Sequence, residues 1–187
     1  MEQIGLLHDG QIYDLQTAEA LNIKGDIIKA DDSKESLEIL RHSCAHMMAQ
    51  AIKELYPEAK FFVGPVVKEG FYYDFKVESK ISDEDLPAIE KKMKEIADRK
   101  LPITRHETTK EEFYEKFKND ELKQAVLKNI KDDTLTIYKQ GDFEDLCRGP
   151  HLPNTRMIRS FKLTRVAGAY LGGDEKNEMI TRIYGIA

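Results

Sequence analysis

An α+β fold is predicted for this chain: a two-layer mixed or antiparallel sheet with packed helices, preceded by a short β-rich lead-in. Two observations carry that prediction. Helical and strand periods interleave along the sequence without a βαβ rhythm, and no glycine-rich phosphate loop follows any of the strand-like runs. With 187 residues and 41% hydrophobic content, the chain is long enough to bury one substantial core or two small ones.

The first 30 residues alternate short apolar stretches with turn signals at His8-Asp9-Gly10, Asn22 and Lys24-Gly25-Asp26, and read as β-rich. From about Ser33 to Tyr56 the period becomes helical, with Asp32 or Ser33 as N-cap and Pro57 as the stop. Leu37, Leu40, Cys44, Met47, Met48, Ala51 and Leu55 share one stripe, which predicts the buried face and puts His42 and His46 together on the opposite side. A hairpin follows, with Phe61-Phe62-Val63, a Gly64-Pro65 break, Val66-Val67 and the aromatic strand 71–75. There Phe71, Tyr73 and Phe75 alternate with Tyr72 and Asp74. Ser82 caps a second amphipathic helix whose inner face is Leu86, Ile89, Met93 and Ile96.

A strand is expected near Leu101 to His106. The capping box Thr109-x-x-Glu112 then opens a helix through Phe113, Tyr114 and Phe117, and a further helix covers Glu121 to Ile130. Thr134 to Lys139 reads as a strand, and Phe143 to Thr155, with Gly149, Pro150 and Pro153, as an ordered loop. Two last strands run through Phe161 to Tyr170 and Met179 to Tyr184, joined at Gly172-Gly173-Asp174.

No run approaches the ~18 to 20 apolar residues that span a bilayer, and no basic stretch precedes a hydrophobic segment at the N-terminus. A soluble, cytoplasmic protein is expected. The two cysteines, Cys44 and Cys147, are too few for a disulfide scaffold and fit a reducing compartment. A net charge of -5 argues against a protein that coats nucleic acid through bulk basicity. Arg156, Arg159, Lys162 and Arg165, a run without an acid, form either a solvated strand face or a phosphate-facing one.

Two short motifs carry chemistry. His42-x-x-x-His46 on a helix presents two imidazoles side by side, and Cys147-x-x-x-His151 sits in a Gly/Pro-rich loop that can aim a thiol and a third imidazole. Three readings of this tetrad stand at this point. It can be a tetrahedral zinc site, or a metal-free arrangement in which histidines position and deprotonate water with Cys147 as a pocket wall. In the third, Cys147 is a nucleophile activated by an imidazole.

The segments Arg41-His42-Ser43-Cys44-Ala45-His46, Gly64-Pro65-Val66 with Gly70-Phe71-Tyr72-Tyr73-Asp74, Asp145-Leu146-Cys147-Arg148-Gly149-Pro150-His151, and Gly168-Ala169-Tyr170 through Arg182-Ile183-Tyr184-Gly185 resemble, in this order, the editing domain of bacterial threonyl-tRNA synthetases. The resemblance starts near Ser36. Residues 1–33 resemble the tail of the small ubiquitin-like domain that precedes it, here shortened, so the expected division is 1–33 and 34–187. The ending on Ile186-Ala187 without a polar tail suggests a cut polypeptide.

The resemblance implies a proofreading hydrolase that deacylates seryl-tRNA(Thr) and spares threonyl-tRNA(Thr), working on the serine-bearing 3′ end. It implies positioned water without a metal, whereas related alanyl-type editing proteins hold zinc on the residues equivalent to His42, His46, Cys147 and His151. ATP binding, a further zinc, aminoacylation and homodimer contacts are expected only in the class II part that has no counterpart here, with a monomer expected for this chain. The mapped pocket comprises His42, His46, Gly64, Tyr73, Lys123, Asp145, Leu146, Cys147 and His151. Lys123 is expected to stabilise an oxyanion or meet a phosphate and Asp145 to accept from the substrate's amino group. His42 and His46 are expected to orient water and ribose, His151 to anchor the amino acid or assist proton transfer, and Tyr73 to close the wall. The alternatives are a zinc-dependent alanyl-type trans-editing hydrolase and a non-catalytic tRNA- or zinc-binding module.

Overall fold

A computed structural model describes all residues, Met1–Ala187. Strands β1 (Gln3–His8), β2 (Gln11–Asp14) and β3 (Asp26–Lys29) form an antiparallel sheet in the order β2-β1-β3, the β-rich lead-in that turn spacing predicts. A short helix, α1 (Leu15–Ala20), which the sequence did not signal, is inserted after β2 and capped by Asp14. Ile4 and Ile28 are buried in the same core as the rest of the chain.

Helix α2 (Lys34–Leu55) has the predicted N-cap, Ser33, whose side chain accepts from the N–H of Ser36. Cys44, Met47, Met48 and Ala51 are buried as the stripe requires, but Leu55 is exposed. The expected two-sided helix is corrected in its middle: every residue from Ser43 to Ile52 is buried. The second side carries His46 and Ser43, and is covered by other elements. Phe143 meets the His46 ring edge-on, and the N–H of Leu152 donates to Ser43 Oγ.

Strands β4 (Lys60–Phe61), β5 (Val66–Val67) and β6 (Gly70–Lys76) follow. Phe71, Tyr73 and Phe75 of β6 are fully buried on the α2 side, as alternation predicts. Ser82 and Asp85 form a capping box before α3 (Leu86–Asp98), which buries Leu86, Ile89, Met93 and Ile96. Strand β7 (Thr104–Thr109) begins later than expected, because the N–H of Leu101 is held by Thr155 Oγ1 at 2.9 Å and Pro102 has no N–H to give a ladder.

Helices α4 (Lys110–Lys116) and α5 (Glu121–Lys128) precede β8 (Thr134–Gln140) and β9 (Phe143–Leu146). β9 corrects the reading of 143–155 as loop throughout. Phe143 and Asp145 alternate inward, and a buried aspartate disguises the apolar pattern. The chain closes with β10 (Lys162–Tyr170) and β11 (Met179–Ile186). Every pairing is antiparallel. The two further sheets run β10-β11-β6-β4, with β5 also on β6, and β7-β8-β9. The main core fills the space between α2, α3 and the larger sheet. A small satellite of Phe113, Leu127, Leu135 and Ile137 seats α4 and α5 on β8. No helix is long and apolar enough to cross a membrane.

Candidate active site

Four residues apart on α2, His42 and His46 project from one face, their ring centroids 5.3 Å apart. The loop after β9 passes over that face. Gly149 turns it at φ 79°, a region that favours glycine, and brings Cys147 and His151 to the helix. The donor atoms of His42, His46, Cys147 and His151 all lie within 4.8 Å of one another. His46 and His151 are buried; His42 and Cys147 are partly exposed.

Hydrogen bonds orient this cluster. His42 Nδ1 lies 3.1 Å from the carbonyl oxygen of Pro150. A carbonyl only accepts, so Nδ1 carries the proton and Nε2 keeps its lone pair, 3.3 Å from Cys147 Sγ. His151 Nδ1 lies 3.1 Å from Ser43 Oγ, and its Nε2 is 3.2 Å from Cys147 Sγ. The N–H of Gly149 donates to the same sulfur at 3.2 Å. His46 is wedged by rings, edge-on to His42 and tilted against Tyr73 and His151.

Burial holds all three imidazoles below the ordinary histidine value of 6.5, and for His46 and His151 well below it, with neighbouring imidazoles adding to the effect. They are neutral near pH 7 and can accept a proton. Burial also pushes the Cys147 thiol up, so it stays protonated. A neutral thiol beside neutral imidazoles is a poor nucleophile, which disfavours the covalent reading left open by spacing.

A second polar group adjoins the first. Asp145, buried on β9, accepts from the Lys123 ammonium, the Tyr73 hydroxyl and the N–H of Leu146. Lys123 is only 4% exposed in its side chain, so it is a buried partner of Asp145 and not a surface lysine. Asp145 has one acceptor position left on the oxygen that Tyr73 uses. Gly64 lies flat on the Tyr73 ring, where any side chain would collide. Leu146 packs toward the satellite core of α4 and α5.

The structure thus brings seven of the nine sequence-singled residues together through direct contacts: the tetrad, Tyr73, Asp145 and Lys123. Gly64 and Leu146 stand behind them. Within the tetrad the side chains pack against one another, with the His42 and His151 rings stacked at 4.3 Å. A groove of about 760 Å³, lined in part by Tyr13, Arg105 and Arg148, meets the tetrad only at Cys147. Of the basic run, Arg156, Arg159, Lys162 and Arg165 are all exposed; Lys162 bonds Glu90, and the Arg165 guanidinium lies over Tyr184.

Sequence reasoning missed Ser43, Asp14 and Tyr138. Ser43 was legible as a polar residue inside the histidine motif. Asp14 and Tyr138 reach the site from distant segments and carried no local signal.

The tetrad fits a metal by its chemistry. Zinc bonds of about 2.0 to 2.1 Å to nitrogen and 2.3 Å to sulfur place tetrahedral donors roughly 3.3 to 3.6 Å apart. The two sulfur–nitrogen distances, 3.3 and 3.2 Å, are close to that, and the lone pair of His42 Nε2 already points inward.

Comparison with known proteins bears on this geometry. The sequence profile of the Threonyl and Alanyl tRNA synthetase second additional domain matches residues 135–184. Among curated proteins, the threonine--tRNA ligase of Campylobacter jejuni subsp. jejuni serotype O:6 is 65% identical over 186 residues, covering 100% of this chain and 31% of that protein. That of Helicobacter hepaticus is 64% identical over 186 residues, again 100% of this chain and 31% of the relative. That of Campylobacter lari is 73% identical over 157 residues, 84% of this chain and 26% of the relative. The chain therefore spans about a third of the length of such relatives. The chain is thus similar along its whole length to part of the threonine--tRNA ligases, and its residues 135–184 match the additional domain shared by threonyl- and alanyl-tRNA synthetases.

Proposed function

We propose that this domain hydrolyses the ester of seryl-tRNA(Thr) and spares threonyl-tRNA(Thr). The observation that carries the reading is the convergence of three neutral imidazoles and a protonated thiol, from a helix and a distant loop, within 4.8 Å. In the proposed reaction a water positioned by His42 and His46 attacks the ester carbonyl carbon, and an imidazole takes its proton. The bond from that carbon to the terminal ribose oxygen breaks, and the oxygen receives a proton, leaving free serine and tRNA. His151 anchors the amino acid. Asp145 accepts from the substrate's amino group at its remaining acceptor position, and Lys123 beside it lends positive charge against the oxyanion. Cys147 and Tyr73 form the wall.

Serine differs from threonine by one methyl, worth about 1 to 3 kcal/mol of discrimination in a synthetic site, too little for faithful coding. A second sieve that admits serine and collides with the extra methyl supplies the rest. Deacylation of both substrates by the purified chain tests this: faster loss of serine is expected, and equal rates would remove the steric sieve. The 3′ end of tRNA(Thr) is the proposed partner and the cytoplasm the proposed location. Aminoacylation with ATP, and homodimer contacts, are assigned to the rest of the longer relatives' length.

The donor spacing favours one second reading, a zinc-assisted hydrolase of alanyl type. Zinc held by three of His42, His46, Cys147 and His151, with water in the fourth position, would supply an activated water at neutral pH. Metal content, and deacylation with and without chelator, separate the two.

A further inference from the structure

One buried acid has no part in that chemistry. Asp14, at the end of β2, is 2% exposed. The other two buried acids are each paired with a cation, Asp74 with Arg182 and Asp145 with Lys123. Asp14 has no such partner and is held by three neutral donors. The N–H of Thr17 donates to Oδ1 at 2.8 Å, while the Tyr138 hydroxyl and the N–H of His151 donate to Oδ2 at 2.6 and 2.9 Å. Thr17 Oγ1 lies 3.0 Å from the Tyr138 hydroxyl, and the Tyr138 ring centroid is 4.5 Å from that of His151. Gly149 presses on this group so closely that a Cβ there would lie 2.9 Å from Asp14 Oδ2. A buried carboxylate without a counter-ion is costly unless its hydrogen bonds are complete, so this arrangement tolerates little displacement.

We propose that Asp14 is a positioning residue of the hydrolytic site. By gripping the backbone N–H of His151 and the hydroxyl of Tyr138, it fixes the turn from Cys147 to His151, and with it the direction of His151 Nε2. The N-terminal sheet is then a working part of the site, keyed into it by one side chain 137 residues before the histidine it holds. Ser43 secures the ring of His151 and Asp14 secures its main chain, so the imidazole is fixed from both ends. The activity readout of this proposal rests on the hydrolase reading above; its structural readout does not.

The test uses the full chain with Asp14→Asn, Tyr138→Phe and the double variant, and with Asp9→Asn, at an exposed residue of the turn between β1 and β2, as control. An asparagine amide nitrogen cannot accept, so Asp14→Asn must break at least one of the three bonds or reorient the loop. In folded protein, kcat for seryl-tRNA deacylation is expected to fall about 10- to 100-fold while KM stays within about twofold. Tyr138→Phe should fall less, and the double variant no further than Asp14→Asn, since both act through one network. Amide hydrogen exchange at His151 should accelerate in Asp14→Asn, and the His151 ring resonances should shift, with Asp9→Asn unchanged in all respects. A folded Asp14→Asn with wild-type kcat and wild-type protection at His151 overturns the proposal. So does a fall in melting temperature alone, which is what a purely structural role predicts. If Asp14→Asn does not fold, Tyr138→Phe decides by the same two readouts. If the wild-type chain deacylates nothing, the hydrolase reading fails, and exchange and ring shifts at His151 still decide the role of Asp14.

Discussion

Replacing Lys123 with methionine removes the cation from Asp145 while keeping the length of the side chain. Both partners are almost inaccessible, at 4% and 2% side-chain exposure, so solvent cannot replace the lost charge. Tyr73 and the N–H of Leu146 remain as donors, but neither neutralises the carboxylate. Removing one member of a buried pair costs about 3 to 5 kcal/mol, and at roughly 2 to 4 °C per kcal/mol for a chain of this size the melting temperature should fall by about 6 to 20 °C. Lys123→Met with Asp145→Asn should recover much of that loss, because the stranded charge is gone, while deacylation stays low in both. Thermal unfolding followed by circular dichroism, with a urea titration at fixed temperature, measures the effect. A loss below about 1 kcal/mol for Lys123→Met would refute the reasoning, since that is the size of an exposed pair.

Stability should depend on pH through the tetrad. His42, His46 and His151 have folded values below 6.5, so the unfolded chain takes up protons that the folded chain refuses. Their contribution is complete above 6.5 and is lost as pH falls from there toward the folded values, with a limiting slope near 4 kcal/mol per pH unit if all three take part, at about 1.4 for each. Urea midpoints near pH 7.5 and 5.5 check this, and equal midpoints would contradict it. Gly64→Ala should cost about 1 to 3 kcal/mol and lower deacylation, because the added methyl meets the Tyr73 ring, whose hydroxyl is tied to Asp145. A crystal structure of that variant with Tyr73 unmoved would count against the account.

Much of this fold was legible because periodicity and capping act locally. The Ser33 cap, the aromatic alternation of β6 and the Ser82 cap before α3 all follow from neighbouring residues alone. What escaped depends on contacts between distant segments. The second face of α2 contains serine, histidine and glutamine, polar residues that suggest water, yet a loop more than 100 residues away buries it. β9 was hidden because its inward position is Asp145, whose burial makes sense only with Lys123 from α5. At the site, the i, i+4 histidines and the Cys147/His151 loop were visible as residue types with matching chemistry. The supports were not: Asp14 reads as an ordinary turn acid, and Tyr138 as an ordinary strand aromatic, until the tertiary fold joins them.

The central claim is that the tetrad makes this domain an editing hydrolase selective for serine. Its most direct test is seryl-tRNA(Thr) deacylation by the wild-type chain and by His46→Ala, with zinc measured in the same samples. The account predicts release of serine by the wild type, retained after chelation, and loss of that activity in a folded His46→Ala. Undiminished hydrolysis by His46→Ala, or none by the wild type, would contradict it.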